Sequence, residues 1–261
     1  MIVAGLDELV ASIPDGARLA LPPDYSGCAM AAVAALIARG VRGLHLVGVP
    51  TLGFQGDMLI GAGCAASVEA AAVGLGEYGP APSFDAALRS RRLAIKDATC
   101  PAIHAGLQAA ERGVDSMPVA GIIGSDLIAA RAGDWLVVDD PFTERPTVHV
   151  RAIKPDVALF HAALGDRDGN VWIGVRRELM TMAHASRRTL VTVERVVDES
   201  LLADDRTAAG TIPSLYLDAV CVVPMGARPL GLRGCYGPDE AALEAYVARA
   251  RAEAAALRQD A

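Results

Sequence analysis

The stretch DGARLALPPDYSGCAMAAVAALIAR, residues 15–39, decides the fold class of this 261-residue chain. Arg18–Leu21 is a short apolar run typical of a buried strand, and Gly27–Arg39 is an alanine-rich run of helical length. Two prolines and a glycine mark a tight loop between them. A strand, a tight loop and a helix in this order indicate one unit of an α/β fold.

The same alternation continues along the chain. Further strands are predicted at Gly43–Val49, Met58–Ile60, Arg92–Ile95, Asp156–His161, Thr189–Val193 and Ala219–Val223. Further helices are predicted at Ser83–Arg91, Pro101–Arg112, Arg176–Ser186 and Pro238–Arg258. Nearly continuous apolar strands are typical of parallel sheets covered on both faces. The sequence therefore predicts an open, mostly parallel sheet with flanking helices.

Residues 1–261 are expected to form one domain with an irregular excursion near 117–147. This stretch is rich in glycine, proline and aspartate and holds only a short apolar run at Trp135–Val138. Long irregular segments are often functional, so it is either an ordinary surface excursion or an interface or lid over a site.

Composition and charge exclude several classes of protein. The formal net charge of −7 argues against a nucleic-acid-binding surface, which would need a basic stripe. No apolar run approaches the roughly 20 residues of a membrane span, and Asp7 and Glu8 come too early for a secretory leader. The five cysteines are widely spaced and form no zinc-binding motif, which favours reduced thiols in the cytoplasm.

The loop after the first predicted strand is the first candidate site. Ligands of open α/β sheets bind beyond the carboxyl ends of strands, where helix N-termini offer free N–H groups to anions. Substrate-contacting residues are therefore expected at Pro23, Tyr25, Ser26 and Gly27. The alternative is that Ser26 only caps the helix and Tyr25 only packs.

A second candidate follows the strand that ends near Lys96. Thr99 and Cys100 stand beside a predicted helix N-terminus, where they could contact a substrate. A nucleophilic Cys100 is disfavoured because no histidine is placed to activate it.

Glycines at Gly61, Gly63 and Gly76 form a third candidate, a loop that permits close backbone approach. Their spacing does not fit a dinucleotide fingerprint. The neighbouring Glu77 is expected to be solvated rather than catalytic. Asp166–Asn170 is expected to form a tight hairpin turn.

Several of these segments together resemble the A subunits of family I CoA-transferases, closest to the glutaconate type. The matching segments are Asp15-Gly16, Asp57–Cys64, Gly74–Pro82, Met117-Pro118 with Gly124–Asp126, Asp166–Asn170 with Arg176–Glu194, Ile212–Val220 and Pro224–Pro229. Each motif is modest alone, but their order and spacing cover most of the chain.

The resemblance implies the fold class shared with sugar-phosphate isomerases and the transfer of CoA from an acyl-CoA to an acceptor carboxylate. In the family, the glutamate that attacks the thioester stands in an S-E-N-G motif of the B (beta) subunit. This sequence contains no E-N-G tripeptide, since its one asparagine, Asn170, follows Gly169. The resemblance thus implies a beta subunit partner, coenzyme A as substrate, no permanent cofactor or metal, and Thr99 beside the substrate carboxylate.

Three departures from the family pattern leave alternatives open. Asp24 stands in a loop that is usually Gly-Gly-Phe and would repel a dicarboxylate, and Arg228 replaces a usual histidine. A related branch of ring-opening hydrolases carries a catalytic glutamate near Lys96–Cys100, where this chain has Asp97. The alternatives are therefore the A subunit of such a hydrolase and a non-catalytic small-ligand sensor of the same fold, although no helix-turn-helix with a basic face precedes the domain.

Overall fold

The computed structural model describes residues 5–259, in which helices pack against two β-sheets. The strands are β1 (Arg18–Leu21), β2 (Leu44–Gly48), β3 (Ala65–Ala70), β4 (Ala94–Asp97), β5 (Ser116–Val119), β6 (Trp135–Asp139), β7 (Pro146–Arg151), β8 (Val157–Asp166), β9 (Val171–Trp172), β10 (Arg188–Val197), β11 (Thr211–Ile212) and β12 (Ala219–Val222). The helices are α1 (Leu6–Ala11), α2 (Met30–Arg39), α3 (Phe54–Gly61), α4 (Pro82–Arg89), α5 (Cys100–Glu111), α6 (Leu127–Ala130), α7 (Arg177–Ala185), α8 (Asp205–Ala208) and α9 (Glu240–Gln259).

Within residues 5–259, the larger sheet has seven parallel strands in the order β12-β10-β8-β1-β2-β3-β4, with β9 and β11 added antiparallel. β10 pairs along one edge of β8, whereas β1 pairs with the other edge only at Val157 and Ala158. β9 pairs farther along β8, at Leu164 and Gly165. Because a strand has two edges, the loop after β1 and strand β9 lie on the same side of β8.

Apolar side chains cover both faces of this sheet, as the nearly continuous apolar strands predict. On one face, α1–α4 and α9 pack through buried residues such as Leu9, Val33 and Leu243. On the other face, α5, α7 and the second sheet pack through Ile103 and Leu179. The predicted mostly parallel α/β architecture is confirmed.

The stretch 117–147 is more regular than its composition indicates. β5, β7 and β6 form a three-stranded antiparallel sheet with β7 in the middle. In β6 only Trp135 is buried, so the strand lacks the alternation of buried apolar residues that would indicate a strand in the sequence. Val119, Trp135 and Val148 share a core cluster with α5 and β8.

The predicted strand at Met58–Ile60 is wrong, because these residues lie inside α3. A short apolar run is compatible with either structure, and here the Asp24 carboxylate accepts a hydrogen bond from Phe54 N at the first turn of the helix. The strand beside β2 is instead Ala65–Ala70, whose small and polar residues give no apolar run.

Several local predictions are confirmed. Gly40, the C-cap of α2, has a φ of 74°, and Gly113, two residues after α5, has a φ of 70°. β8 and β9 form a hairpin around the turn Asp166–Asn170, in which the Asp166 carboxylate accepts hydrogen bonds from the backbone of Asp168 and Asn170. No helix in the described part of the chain is long and apolar enough to cross a membrane.

Candidate functional site

A cleft of about 200 Å³ opens beyond the carboxyl end of β1, between the loop that follows it and the segment from β9 to α7. Its lining residues are Tyr25, Ser26, Gly27, His161, Ala162, Ala163, Trp172, Ile173, Gly174, Val175, Arg176, Leu179, Leu232, Arg233 and Gly234. This is the place where open α/β sheets bind ligands. Within the described part of the chain, no aspartate or glutamate lines this first cleft.

A second cleft of about 460 Å³ adjoins the first. Tyr25, Arg176, Leu232 and Arg233 line both. Its remaining lining residues are Asp24, Phe54, Leu75, Gly76, Glu77, Tyr78, Leu230, Gly231, Tyr236, Pro238 and Leu243. The two clefts thus share a wall that carries two arginines and a tyrosine.

The loop between β1 and α2 is held tightly against β8. Pro23 O accepts a hydrogen bond from Ser26 N at 2.9 Å, and Gly27 O accepts one from His161 N at 2.7 Å. Gly27 has a φ of 72°, and a Cβ built on it would lie 2.1 Å from His161 O. Only glycine fits this position, because it alone tolerates both the backbone conformation and the contact.

Two side chains of this loop have different surroundings. Ser26 is buried, and its hydroxyl donates a hydrogen bond to the Glu178 carboxylate of α7. Tyr25 is 61% exposed, and its ring centre lies 5.0 Å from the guanidinium carbon of Arg176. Ser26 therefore helps to fix α7 against the loop, whereas Tyr25 supports an arginine at the shared wall.

The helix N-terminus expected at Gly27 lies elsewhere. α2 begins at Met30, Ser26 is not its cap, and Ala31 N donates a hydrogen bond to Gly226 O at 3.0 Å. The start of α7, at Arg176 and Arg177, lies at the first cleft instead. The partial positive charge that suits an anion therefore comes from α7 rather than from α2.

Asp24 is turned away from the first cleft and towards α3. Its carboxylate accepts hydrogen bonds from Phe54 N at 3.0 and 3.3 Å. Burial raises the pKa of Asp24 to about 7, although the bond from Phe54 opposes the shift. The expectation that Asp24 repels a dicarboxylate is therefore weakened, because this carboxyl group is partly protonated near neutral pH.

A buried hydrogen-bond network supports the floor of the first cleft. His161 contacts the Thr192 hydroxyl through Nδ1 and the Glu194 carboxylate through Nε2, each at 2.7 Å. Burial lowers the pKa of His161, although Glu194 opposes this shift. The neutral imidazole therefore donates from Nε2 to the carboxylate, which can only accept, and accepts at Nδ1 from Thr192.

Glu194 also holds the segment that follows β12. Its carboxylate accepts hydrogen bonds from the Tyr236 hydroxyl at 2.6 Å and from Met225 N at 2.8 Å. Burial acts against the charge, but the hydrogen bonds from Tyr236, Met225 N and His161 outweigh it and lower the pKa of Glu194. The network thus positions the chain around Leu232–Tyr236 at the cleft and leaves this carboxylate committed to structure.

Thr99 and Cys100 line neither cleft. They follow β4, which is three strands from β1 at the edge of the sheet. Thr99 is the N-cap of α5, and its hydroxyl accepts a hydrogen bond from Ala102 N at 3.3 Å. The Asp97 carboxylate accepts one from Ala98 N. A contact between Thr99 or Cys100 and substrate stays a prediction.

The three glycines of the expected loop do not lie together. Gly76 lines the second cleft. Gly61 ends α3, and Gly63 has a φ of 68° in the turn that leads to β3, at the amino ends of the strands. Gly61 and Gly63 therefore lie at the end of α3 and line neither cleft, and a role for them in ligand binding stays a prediction.

Sequence reasoning did not foresee His161, Arg176 or Arg233 as residues of the clefts, nor Glu178, which lines neither cleft but accepts a hydrogen bond from Ser26. Arg176 is the N-cap of α7, and Arg233 lies in a turn closed by a hydrogen bond from Leu232 N to Tyr236 O at 2.9 Å. A sequence signal exists for Arg233, since Gly231 and Gly234 mark a turn around it. No local pattern brings these residues to Ser26, because the contact depends on sheet topology.

Arg228 lies outside both clefts. Its Nη1 lies 4.0 Å from an Asp239 carboxylate oxygen, and its guanidinium carbon lies 5.3 Å from the ring centre of Tyr236. Among the described residues, no group of three or more His, Cys, Asp or Glu side chains is arranged to hold a metal ion.

Residues 3–222 match the family model described as Coenzyme A transferase. The A subunit of a 3-oxoadipate CoA-transferase from Pseudomonas knackmussii is 32% identical, over 90% of this chain and 83% of that protein. The A subunit of the glutaconate CoA-transferase from Acidaminococcus fermentans is 27% identical, over 83% of this chain and 72% of that protein. An uncharacterized Archaeoglobus fulgidus protein is 29% identical, and the chain spans about half of its length, 48%.

Other similar proteins have different names. The cholesterol ring-cleaving hydrolase IpdA subunit of Rhodococcus jostii is 28% identical, over 81% of this chain and 74% of that protein. A solved variant of the decarboxylase AibA/AibB superposes with a TM-score of 0.86 and 31% identity, over 98% of this chain and 96% of that chain.

The solved glutaconate coenzyme A-transferase of Acidaminococcus fermentans superposes with a TM-score of 0.87, over 96% of this chain and 84% of that chain. At 24% identity this likeness concerns the fold, which agrees with the mostly parallel sheet described above. The matching family model and the 32% identical relative from Pseudomonas knackmussii add the evidence of sequence. The chain therefore belongs to the coenzyme A transferase family, as an A subunit of family I.

Proposed function

We propose that this chain is the alpha subunit of a heteromeric CoA-transferase that moves CoA from an acyl-CoA to an acceptor carboxylate. The nucleophilic glutamate is supplied by a beta subunit, whereas this chain shapes one side of the acyl site. The observation that supports this proposal is a first cleft beyond the carboxyl end of β1 with no carboxylate in its described lining. Such a cleft can bind and orient a substrate but lacks an attacking group.

The carboxylates near the first cleft accept hydrogen bonds from other residues of the fold. Glu178 accepts from the Ser26 hydroxyl, and Glu194 accepts from His161, Tyr236 and Met225. Asp24 accepts from Phe54 N beside the second cleft. Carboxylates that are held by hydrogen bonds within the fold are poorly placed to attack, so attack by a residue of another chain is the simpler route.

This side of the acyl site contributes binding and orientation. The apolar side chains of Ile173, Leu179 and Leu232 fit an acyl chain, and the N-terminus of α7 stabilises negative charge close to it. Donors fixed before the reaction stabilise a developing oxyanion, an effect that can contribute about 3–4 kcal/mol for one donor.

The proposal is tested with the chain co-purified with a B-type subunit encoded in the same genome. The complex is incubated with acetyl-CoA and a panel of short carboxylic acids, and new acyl-CoA is measured by mass spectrometry. We expect transfer by the complex, none by the chain alone, and a hydroxylamine-trapped glutamyl adduct on the partner. Full transfer by the chain alone, or a trapped adduct on it, would refute the proposal.

A second candidate is the A subunit of an enzyme that cleaves a C–C bond of an acyl-CoA. It is favoured by the similarity to the AibA/AibB decarboxylase and to the IpdA subunit of the hydrolase. Two observations count against a polycyclic substrate here. The first cleft of about 200 Å³ is smaller than the roughly 300–1,000 Å³ usual for drug-sized ligands. In addition, Asp97 is the carboxylate at the end of β4, and it lines neither cleft.

A further inference from the structure

Two arginines stand on the wall shared by the two clefts, and neither is neutralised. Arg176 and Arg233 line both clefts. Among the described residues, neither guanidinium has a carboxylate within 4.0 Å. Guanidinium groups match carboxylates and phosphates in geometry, so unpaired ones in a cleft indicate an anionic ligand.

Arg176 is both oriented and unsatisfied. Its guanidinium lies over the ring of Tyr25, at 5.0 Å from the ring centre, which restricts the plane of the group. Its Nε is buried and, among the described residues, has no hydrogen-bond partner. A buried donor without an acceptor is unfavourable, and an oxygen of a bound anion would satisfy it.

Arg233 is held at the same wall by a fixed turn. Leu232 N donates to Tyr236 O, and Cys235 N donates to Leu232 O, each at 2.9 Å. The Tyr236 hydroxyl in turn bonds to Glu194 at 2.6 Å. The backbone that carries Arg233 is therefore tied to the buried His161 network rather than free in solvent.

The remaining charges near the wall leave it positive. The N-terminus of α7 begins beside Arg176. Glu178 is bonded to Ser26, and Asp24 is bonded to Phe54 N. Glu77 is exposed on the second cleft and forms no ion pair with either arginine. An anion at this wall would therefore meet two cations, neither of which is paired with a carboxylate of the described residues.

We infer that Arg176 and Arg233 bind the free carboxylate of a dicarboxylic acyl group, whose carbon chain lies along the apolar side of the first cleft. The inference depends on the proposed function for the thioester end of that substrate. Ile173, Leu179 and Leu232 line the first cleft together with both arginines, so they offer apolar contacts to the carbon chain. A CoA phosphate offers similar oxygens, so the experiment must separate the two sources.

The test uses the purified full chain and the fluorescence of Trp172, which lines the first cleft. Glutarate, butyrate and adenosine 3′,5′-bisphosphate are titrated into wild type, R176Q, R233Q and the double variant. R206Q is the matched control, because it removes one positive charge at the exposed ion pair with Asp204. W172F identifies the part of the signal that comes from the cleft.

We expect saturable glutarate binding that weakens at least about tenfold in each single variant and is unchanged in R206Q, because a charge-assisted bidentate contact is lost. Butyrate binding should not depend on the arginines. If R176Q fails to fold, R233Q carries the test, because Arg233 is an exposed turn residue. Absence of glutarate binding by wild type, or arginine dependence for the bisphosphate alone, would overturn the inference.

The binding assay also separates this inference from the proposed function. Arginine-dependent glutarate binding with no CoA transfer by the complex would support the anion site and refute the transferase proposal. Transfer by the complex with equal KM values for glutarate in R176Q, R233Q and R206Q would support the transferase proposal and refute the anion site.

Discussion

At the scale of single residues, Asp24 should make the stability of the protein depend on pH, and the direction of this dependence can be predicted. Burial raises its pKa to about 7, so the native state keeps a proton that the unfolded state releases near its ordinary pKa of 3.8. Stability from this group is therefore complete below pH 3.8 and is lost as the pH rises to about 7. Asp24→Asn does not titrate and keeps an oxygen that can accept from Phe54 N.

We expect the stability of wild type relative to Asp24→Asn to fall as the pH rises, by at most about 1.4 kcal/mol per pH unit. Urea unfolding of both proteins at several pH values between 3.8 and about 7 measures this difference. Asp198→Asn is the control, because Asp198 lies in an exposed ion pair with Arg167. Parallel pH curves for wild type and Asp24→Asn would show that Asp24 has the same pKa in the native and unfolded states and would contradict this prediction.

Two variants of Thr99 distinguish a structural role of its hydroxyl from a role in contacting substrate. Its hydroxyl caps α5, so Thr99→Val should lower the free energy of unfolding by about 1 kcal/mol, whereas Thr99→Ser should keep the cap. Chemical denaturation of the three proteins measures this. In the assembled enzyme, a kcat of Thr99→Val equal to that of Thr99→Ser would show that Thr99 only caps. A lower kcat for the valine variant alone would support the predicted contact with substrate.

Sequence reasoning reached only part of the candidate site. Tyr25, Ser26 and Gly27 do line the first cleft, because one strand, one loop and one helix set their place. Arg176 and Arg233, which line both clefts, are more than a hundred residues farther along the chain. They reach the cleft because β8 extends past β1 and because Glu194 holds the turn after β12, and neither feature has a local sequence signal.

At the scale of elements, one buried ion cluster joins the two sheets. Glu69 of β3 contacts Arg18 of β1 through one carboxylate oxygen and Arg131, which precedes β6, through the other. Arg131 is buried, donates to Asp97 O at 3.0 Å and lies over Trp135. The cluster therefore ties the second sheet to the exposed edge of the first.

Glu69→Gln should destabilise the protein by up to about 3 kcal/mol, because it removes the buried counter-charge of Arg131 and leaves only the partly exposed Asp134 carboxylate, at 3.5 Å. Thermal unfolding measures the total loss, with Asp198→Asn as the exposed control. Hydrogen exchange shows which part of the structure is destabilised, because the amides of β6 and β7 should lose protection first. Equal melting temperatures for Glu69→Gln and wild type would contradict a role for the cluster in joining the sheets.

The elements also show where sequence patterns are sufficient. Strands buried on both faces, such as β8 and β10, were predicted because their apolar runs are continuous. β4 and β6 are exposed over most of their residues, and β3 is built from small and polar residues, so their place depends on pairing with neighbours. The helix at Met58–Ile60 was misassigned because three apolar residues do not define a period.

At the scale of the whole molecule, the first cleft is lined by two large and exposed side chains besides its arginines. Tyr25, in the loop after β1, and Val175, before α7, line the cleft and are 61% and 64% exposed. Exposed apolar residues around a site often mark a protein interface. If a beta subunit closes the cleft and supplies the attacking glutamate, it must cover these side chains, and this gives the proposed assembly a direct test.

Val175→Asp should weaken assembly with the beta subunit by at least about tenfold, because the interface would bury a carboxylate without a partner. Leu136→Asp is the matched control, since Leu136 is 59% exposed on β6 in the second sheet, away from the clefts. Light scattering of the co-purified mixtures measures the fraction of complex for each variant. Both variants should fold, because both positions are exposed. Normal assembly of Val175→Asp together with failure of Leu136→Asp would move the interface from the cleft rim to the second sheet, and the attacking carboxylate would then need another source.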